Sequence, residues 1–144
     1  MVRGTKIGAL AAGLILCSAT FAFAADREQM PEGARVYILW PSDGTVVNGK
    51  FWVRMGLANA GVAPAGVEKA GTGHHHLLID TDLPADMSEP IPNDKNHLHF
   101  GAGQTETQLD LPPGRHTLQL LFADDRHIPQ DPPLYSNKIT VIVR

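Results

Sequence analysis

Cysteine is all but missing from this chain of 144 residues: Cys17 is the only one, and it lies in an N-terminal segment expected to be removed. Without a second cysteine the exported chain has no disulfide, no thiol nucleophile and no thiolate metal site. The fold must then rest on its apolar core, and the roughly 120 residues left suffice for one compact domain. A basic surface is missing too. Lys and Arg number 12 against 15 Asp and Glu, a formal charge of −3, which becomes −5 once Arg3 and Lys6 are gone. Nucleic acid is therefore excluded as a partner, because phosphate binding relies on clustered cations. There is no second long apolar run to span a membrane after cleavage. Amphipathic helical periodicity, internal repeats and charge runs are also absent, and nothing points to a second domain.

The segment expected to be removed is residues 1–24. Arg3 and Lys6 precede an apolar run from Ile7 to Leu16, and small residues follow up to Ala22-Phe23-Ala24-Ala25. That order is a secretory signal peptide, cut before Ala25 or Asp26, and it predicts a periplasmic or secreted protein. Leu16 stands where a lipidated Cys17 would need a small residue, so ordinary cleavage is the expectation. Residues 25–34, polar with Pro31 and Gly33, read as a flexible lead-in.

From residue 35 to 144 the pattern has period two, with β-branched and aromatic residues broken by Gly, Pro, Asn and Asp. Seven strands are expected: Arg35 to Trp40, Lys50 to Leu57, His74 to Asp80, His97 to Phe100, Gln104 to Leu111, Arg115 to Ala123 and Lys138 to Val143. Phe51, Val53, Met55 and Leu57 share one face of the second, with Trp52 and Arg54 opposite. His116, Leu118, Leu120 and Phe122 form the inner face of the sixth. Ala58 to Gly73, Thr81 to Asn96 and Asp124 to Ser136 are long loops, and long ordered loops often carry function. The expected fold is all-β, an antiparallel β-sandwich of immunoglobulin or fibronectin type III character.

What the chain has in excess is histidine in strands. Five of its seven histidines fall in His74-His75-His76 and His97-Leu98-His99. Side chains alternate along a strand, so His74 and His76 point together while His75 points with Leu77 and Ile79. His97 and His99 likewise share a face. Residues two apart on a strand are about 6.6 Å apart, and facing residues on paired strands about 4.5 to 5.5 Å. Two His-x-His pairs on neighbouring strands can thus converge on one ion. This requires the fourth strand to pair with the third, as in the fibronectin-like arrangement. Alternate loops of a sandwich fall at one end, which adds His127 as a fifth participant. Imidazole suits Cu(II) and Zn(II), whereas Cu(I) prefers sulfur, and Met30, Met55 and Met87 are scattered. Asp80 is either a partner behind the ligands or a solvated strand end.

Bland readings stand beside these. A lone histidine is more often a hydrogen-bonded structural residue than a ligand, and His75 and His116 are read that way. For His127 a hydrogen bond that orders its loop competes with ligation. A pH sensor is a third reading of the cluster, since histidine titrates near pH 6.5. Enzyme signatures are lacking: there is no Gly-x-Ser-x-Gly, no phosphate loop and no His-Glu-x-x-His. Glu106, seven residues after His99, and Pro112-Pro113-Gly114-Arg115-His116 miss the spacing of a cupin centre. The expectation is metal binding or buffering rather than turnover. The alternative is a metal-free module binding a cell-envelope protein or glycan through the same loop-rich end.

Long strings of the chain resemble a bacterial family of exported domains, domain-of-unknown-function family 4399. The resemblance rests on Gly61 to Gly66, Gly73 to Asp80, His97 to Glu106, Leu111 to Leu118, and His127 with Pro132-Pro133. It implies that these strings belong together, Gln104 and Thr105 included, and supplies no activity.

Overall fold

In a computed structural model, which describes residues 27–144, the chain forms nine strands and no helix among those residues. The expected signal peptide and Cys17 lie outside the described residues. The strands are β1 (Arg35–Trp40), β2 (Thr45–Val47), β3 (Phe51–Ala58), β4 (Gly61–Val62), β5 (Thr72–Ile79), β6 (His97–His99), β7 (Glu106–Leu109), β8 (Gly114–Ala123) and β9 (Ile139–Val143). All seven expected strands are present, the one read at Gln104 to Leu111 being shorter. The additions, β2 and β4, hold three and two residues. Neither is long enough to show a period. Each pairs in parallel, β2 with β9 and β4 with β5, so neither is held by a hairpin turn to its partner.

One sheet has the order β1-β3-β7, and the other β2-β9-β8-β5-β4, with β6 pairing β5 beside β4. The two pack face to face as the expected all-β sandwich. Alternation makes the core: Val53, Leu77, Leu118, Leu120, Phe122 and Val141 are fully buried between the sheets, joined by Phe51, Met55 and Ile79. Burying each large side chain contributes about 1.5–3 kcal/mol. Trp52 and Arg54 face solvent from β3 as expected.

A second apolar cluster was not legible in the sequence. Leu78, Leu121 and Ala123 point away from the main core yet are buried, capped by Ile91, Leu83 and Met87 from the 81–96 loop. Strand β5 is therefore covered on both faces, and Gly73 to Ile79 are all buried. Residues 27–34 are also tied down rather than free. Arg27 pairs with Asp131 at 2.8 Å, the Gly71 N–H donates to the Glu28 carboxylate, and Met30 packs against the core. These partners are 40 or more residues away in the chain, which is why a local reading sees only a polar lead-in.

Candidate metal centre

The pairing that the site hypothesis needed is present. β6 runs antiparallel to β5 with His99 opposite His76, Leu98 opposite Leu77 and His97 opposite Leu78. Opposite residues share a face, so His99 joins His74 and His76 on the side away from the main core. His127 arrives from the loop after β8. Asp124 builds that approach: its buried carboxylate accepts N–H bonds from Arg126 and Ile128, both at 2.9 Å, and the Arg126 guanidinium at 3.0 Å. The turn leaves His127 in the left-handed region at φ 70°, uncommon for a non-glycine residue.

Four imidazoles meet there. Nε2 of His74 and Nε2 of His76 are 3.1 Å apart, and so are Nε2 of His99 and Nε2 of His127. Ring centroids across the four lie between 4.6 and 5.9 Å. One ligating nitrogen from each of His74, His99 and His127 lies within 4.8 Å of the other two, while His76 joins through His74. Nitrogens about 2.0–2.1 Å from one ion are about 3.3 Å apart at a tetrahedral angle and about 2.9 Å at a right angle. The 3.1 Å contacts fall between these values. Gly101 keeps the site clear, since a Cβ there would lie 2.4 Å from Nε2 of His99.

Three of the four rings are held toward the neutral form. Burial, then the proximity of His127 and His99, lowers His74 to about 4, with Asp124 opposing. Burial, then His74, His99 and His127, lowers His76 to about 2. His99 is lowered by burial and by His127. Neutral imidazoles present the lone pairs that a metal needs.

A purely hydrogen-bonded cluster carries a cost. If the 3.1 Å contact between His74 and His76 is N–H···N, the accepting ring holds its proton on Nδ1. Both Nδ1 atoms are buried without a protein partner, so one donor is stranded at about 1–3 kcal/mol. Coordination through both Nε2 atoms strands two donors. A structural metal returns on the order of 10 kcal/mol, however, which outweighs them. The donor set therefore fits a divalent transition ion.

His97 is not part of this group, which corrects the expectation that both members of His97-Leu98-His99 take part. Register sets it beside Leu78, two pairs further along from the cluster, and its Nδ1 lies 2.9 Å from the Asp94 carboxylate. His75 faces the main core against Phe122, centroids 5.2 Å apart. It was expected to be hydrogen-bonded, but neither ring nitrogen has a protein partner. Burial alone lowers it to about 4. His116 does behave as a structural histidine, with Nδ1 2.7 Å from the Asp80 carboxylate and Nε2 2.8 Å from the Pro112 carbonyl. Asp80 thus serves His116, not the cluster. Two contributors escaped the sequence reading as parts of the site: Asp124, signalled only by the run Asp124-Asp125 before His127, and Gly101, signalled by a glycine two residues after His99.

The profile of a domain of unknown function, DUF4399, matches residues 53–144, a span holding every histidine named above. The chain belongs to this family. Among solved structures the DUF4399 chain is similar to the fibronectin(III)-like modules of Clostridium thermocellum CbhA. Identity is 12%, the TM-score is 0.35, and the match covers 75% of this chain and 92% of that one. It is also similar to a Jonesia denitrificans lytic polysaccharide monooxygenase, at 18% identity and a TM-score of 0.37, over 74% of this chain and 60% of that one. Neither likeness bears on the histidine site. No curated protein matches the chain.

Proposed function

We propose that this protein binds one divalent transition-metal ion, Cu(II) or Zn(II), through His74, His76, His99 and His127, and serves in metal binding or buffering in the periplasm or outside the cell. The observation that carries the reading is the convergence of four imidazoles from three separate segments, with one nitrogen from each of His74, His99 and His127 within 4.8 Å of the other two and His76 3.1 Å from His74. His74 and His76 come from β5, His99 from β6 and His127 from a loop, so the ion would hold together parts of the chain that are far apart in sequence.

The test is elemental analysis of tag-free protein exported in its native host, followed by titration of the metal-free protein with Zn(II) and with Cu(II). One equivalent is expected, with affinity lowered at least 100-fold in His99→Ala or His127→Ala, about 2.7 kcal/mol. His97→Ala should bind as the parent does. Substoichiometric metal, together with uptake that ignores both alanine variants, would sink the reading.

A further inference from the structure

The opposite side of the sandwich carries a second candidate site, independent of the histidines. A regular β1 would place Leu39 opposite Arg54 and turn Trp40 inward against Val53. Instead the register skips Leu39, and Trp40 is the residue opposite Arg54. The bulge turns Trp40 onto the outer face of β1-β3-β7, where Trp52, two residues from Arg54, also stands. Re-aiming a side chain is what bulges near binding sites do. The indoles are 43% and 45% exposed, and between them runs a groove of about 340 Å³ that Asn48, Lys50 and Arg54 also line. Trp40 and Trp52 are diagonal neighbours on paired strands, about 7–8 Å apart, so both indoles contribute to the wall of one groove.

The rim of this groove is polar and charge-balanced. Arg54 pairs with Glu106 at 3.3 Å and Lys50 with Asp110 at 3.7 Å, while Gln108 faces Trp52 across the strands. Such exposed ion pairs are weak and easily re-formed around a ligand. Both cations of the groove wall, Lys50 and Arg54, are matched by a carboxylate beside the groove, Asp110 and Glu106, so the rim brings no net charge to a ligand. An apolar peptide would leave it unpaired, and a polyanion or polycation would meet a like charge for every opposite one. A pyranose ring presents flat C–H faces for the indoles and an edge of hydroxyls, each both donor and acceptor. We infer that the Trp40–Trp52 face binds a neutral pyranose oligosaccharide.

Trp40 and Trp52 are the only tryptophans in the chain, so tryptophan emission, excited selectively over tyrosine, reports on this groove alone. The full exported chain is titrated with cellohexaose, chitohexaose and maltohexaose, and with a galacturonate oligomer as the charged comparison. At least one neutral sugar should give a saturable change, with affinity about tenfold weaker in Trp52→Ala and in Trp40→Ala, both exposed positions that folding tolerates. Arg54→Gln, which keeps a shorter polar side chain but loses the guanidinium and its pair with Glu106, should weaken binding less. His99→Ala should leave it unchanged, which separates this outcome from the metal reading. Silence with all three neutral sugars at millimolar concentration overturns the inference. So does preference for the galacturonate, or a concentration-dependent dimer in sedimentation that Trp52→Ala abolishes.

Discussion

The four-histidine cluster and the Asp80–His116 pair stand toward opposite ends of β5 and β8, with about 13 Å of strand between His76 and Asp80 and about 20 Å between His74 and Asp80. At the first end imidazoles are buried against one another, and burial with mutual proximity pushes their protons off. At the second, burial also disfavours the proton on His116, but the hydrogen bonds to Asp80 and to the Pro112 carbonyl outweigh it, and its pKa is raised. The same residue type is thus prepared for opposite charge states on one pair of strands. What differs is whether a carboxylate reaches the ring.

Acid should break the comparison most forcefully. In the unfolded chain a histidine takes its proton near pH 6.5, whereas folded His74 and His75 hold out to about 4 and His76 to about 2. Between those values the unfolded state binds more protons, so the stability present above pH 6.5 drains away as the pH falls. The ceiling is roughly 3 kcal/mol each for His74 and His75. Urea midpoints of metal-free protein should therefore drop steeply from pH 7 to pH 4; a flat profile would show that the rings are not held neutral.

Next in size is His75→Leu. Removing an imidazole whose two nitrogens are buried without partners, and placing an apolar side chain against Phe122, should raise stability by about 1–2 kcal/mol and flatten part of the acid loss. A destabilised variant would point to a partner for His75 beyond the protein's own groups.

Asp80→Asn tests the other end, and its sign is reversed. A raised pKa gives stability that is complete below pH 6.5 and lost as the pH climbs through the folded value. The asparagine variant should lose about 1 kcal/mol near pH 6, modest because Asp80 is 40% exposed, and less at pH 8. A pH-independent loss would instead assign the effect to the bond from the Thr117 N–H to Asp80 at 2.8 Å.

The smallest effect is expected at His97→Ala. Its contact is with the exposed Asp94 carboxylate, so both stability and metal uptake should move by less than about 1 kcal/mol.

The inward face of every long strand was readable, because period two is local: Val53, Leu77, Leu118 and Val141 follow from it directly. So was the bond between the histidine pairs, given β6 beside β5. What escaped depends on register and on coverage from afar. A two-residue difference in register decides that His99, not His97, stands opposite His76. Leu83, Met87 and Ile91 lie among prolines without any period, so nothing local reveals that they roof Leu78 and Leu121. His74 and His76 point away from the main core, as alternation requires, and yet are buried completely. The Trp40 face was hidden for the same reason, since alternation alone sends Trp40 inward and only the skipped Leu39 turns it out.

That roof also sets a clock. Ile91 donates its N–H to the His127 carbonyl at 2.9 Å, so the residue that plugs the outer apolar cluster is fastened to the one histidine carried on a loop. We expect nothing to reach or leave His74 and His76 until this fastening lets go. Uptake and release would then be limited by how often the two loops part, and exchange of the Ile91 amide with solvent deuterium would run at the same pace.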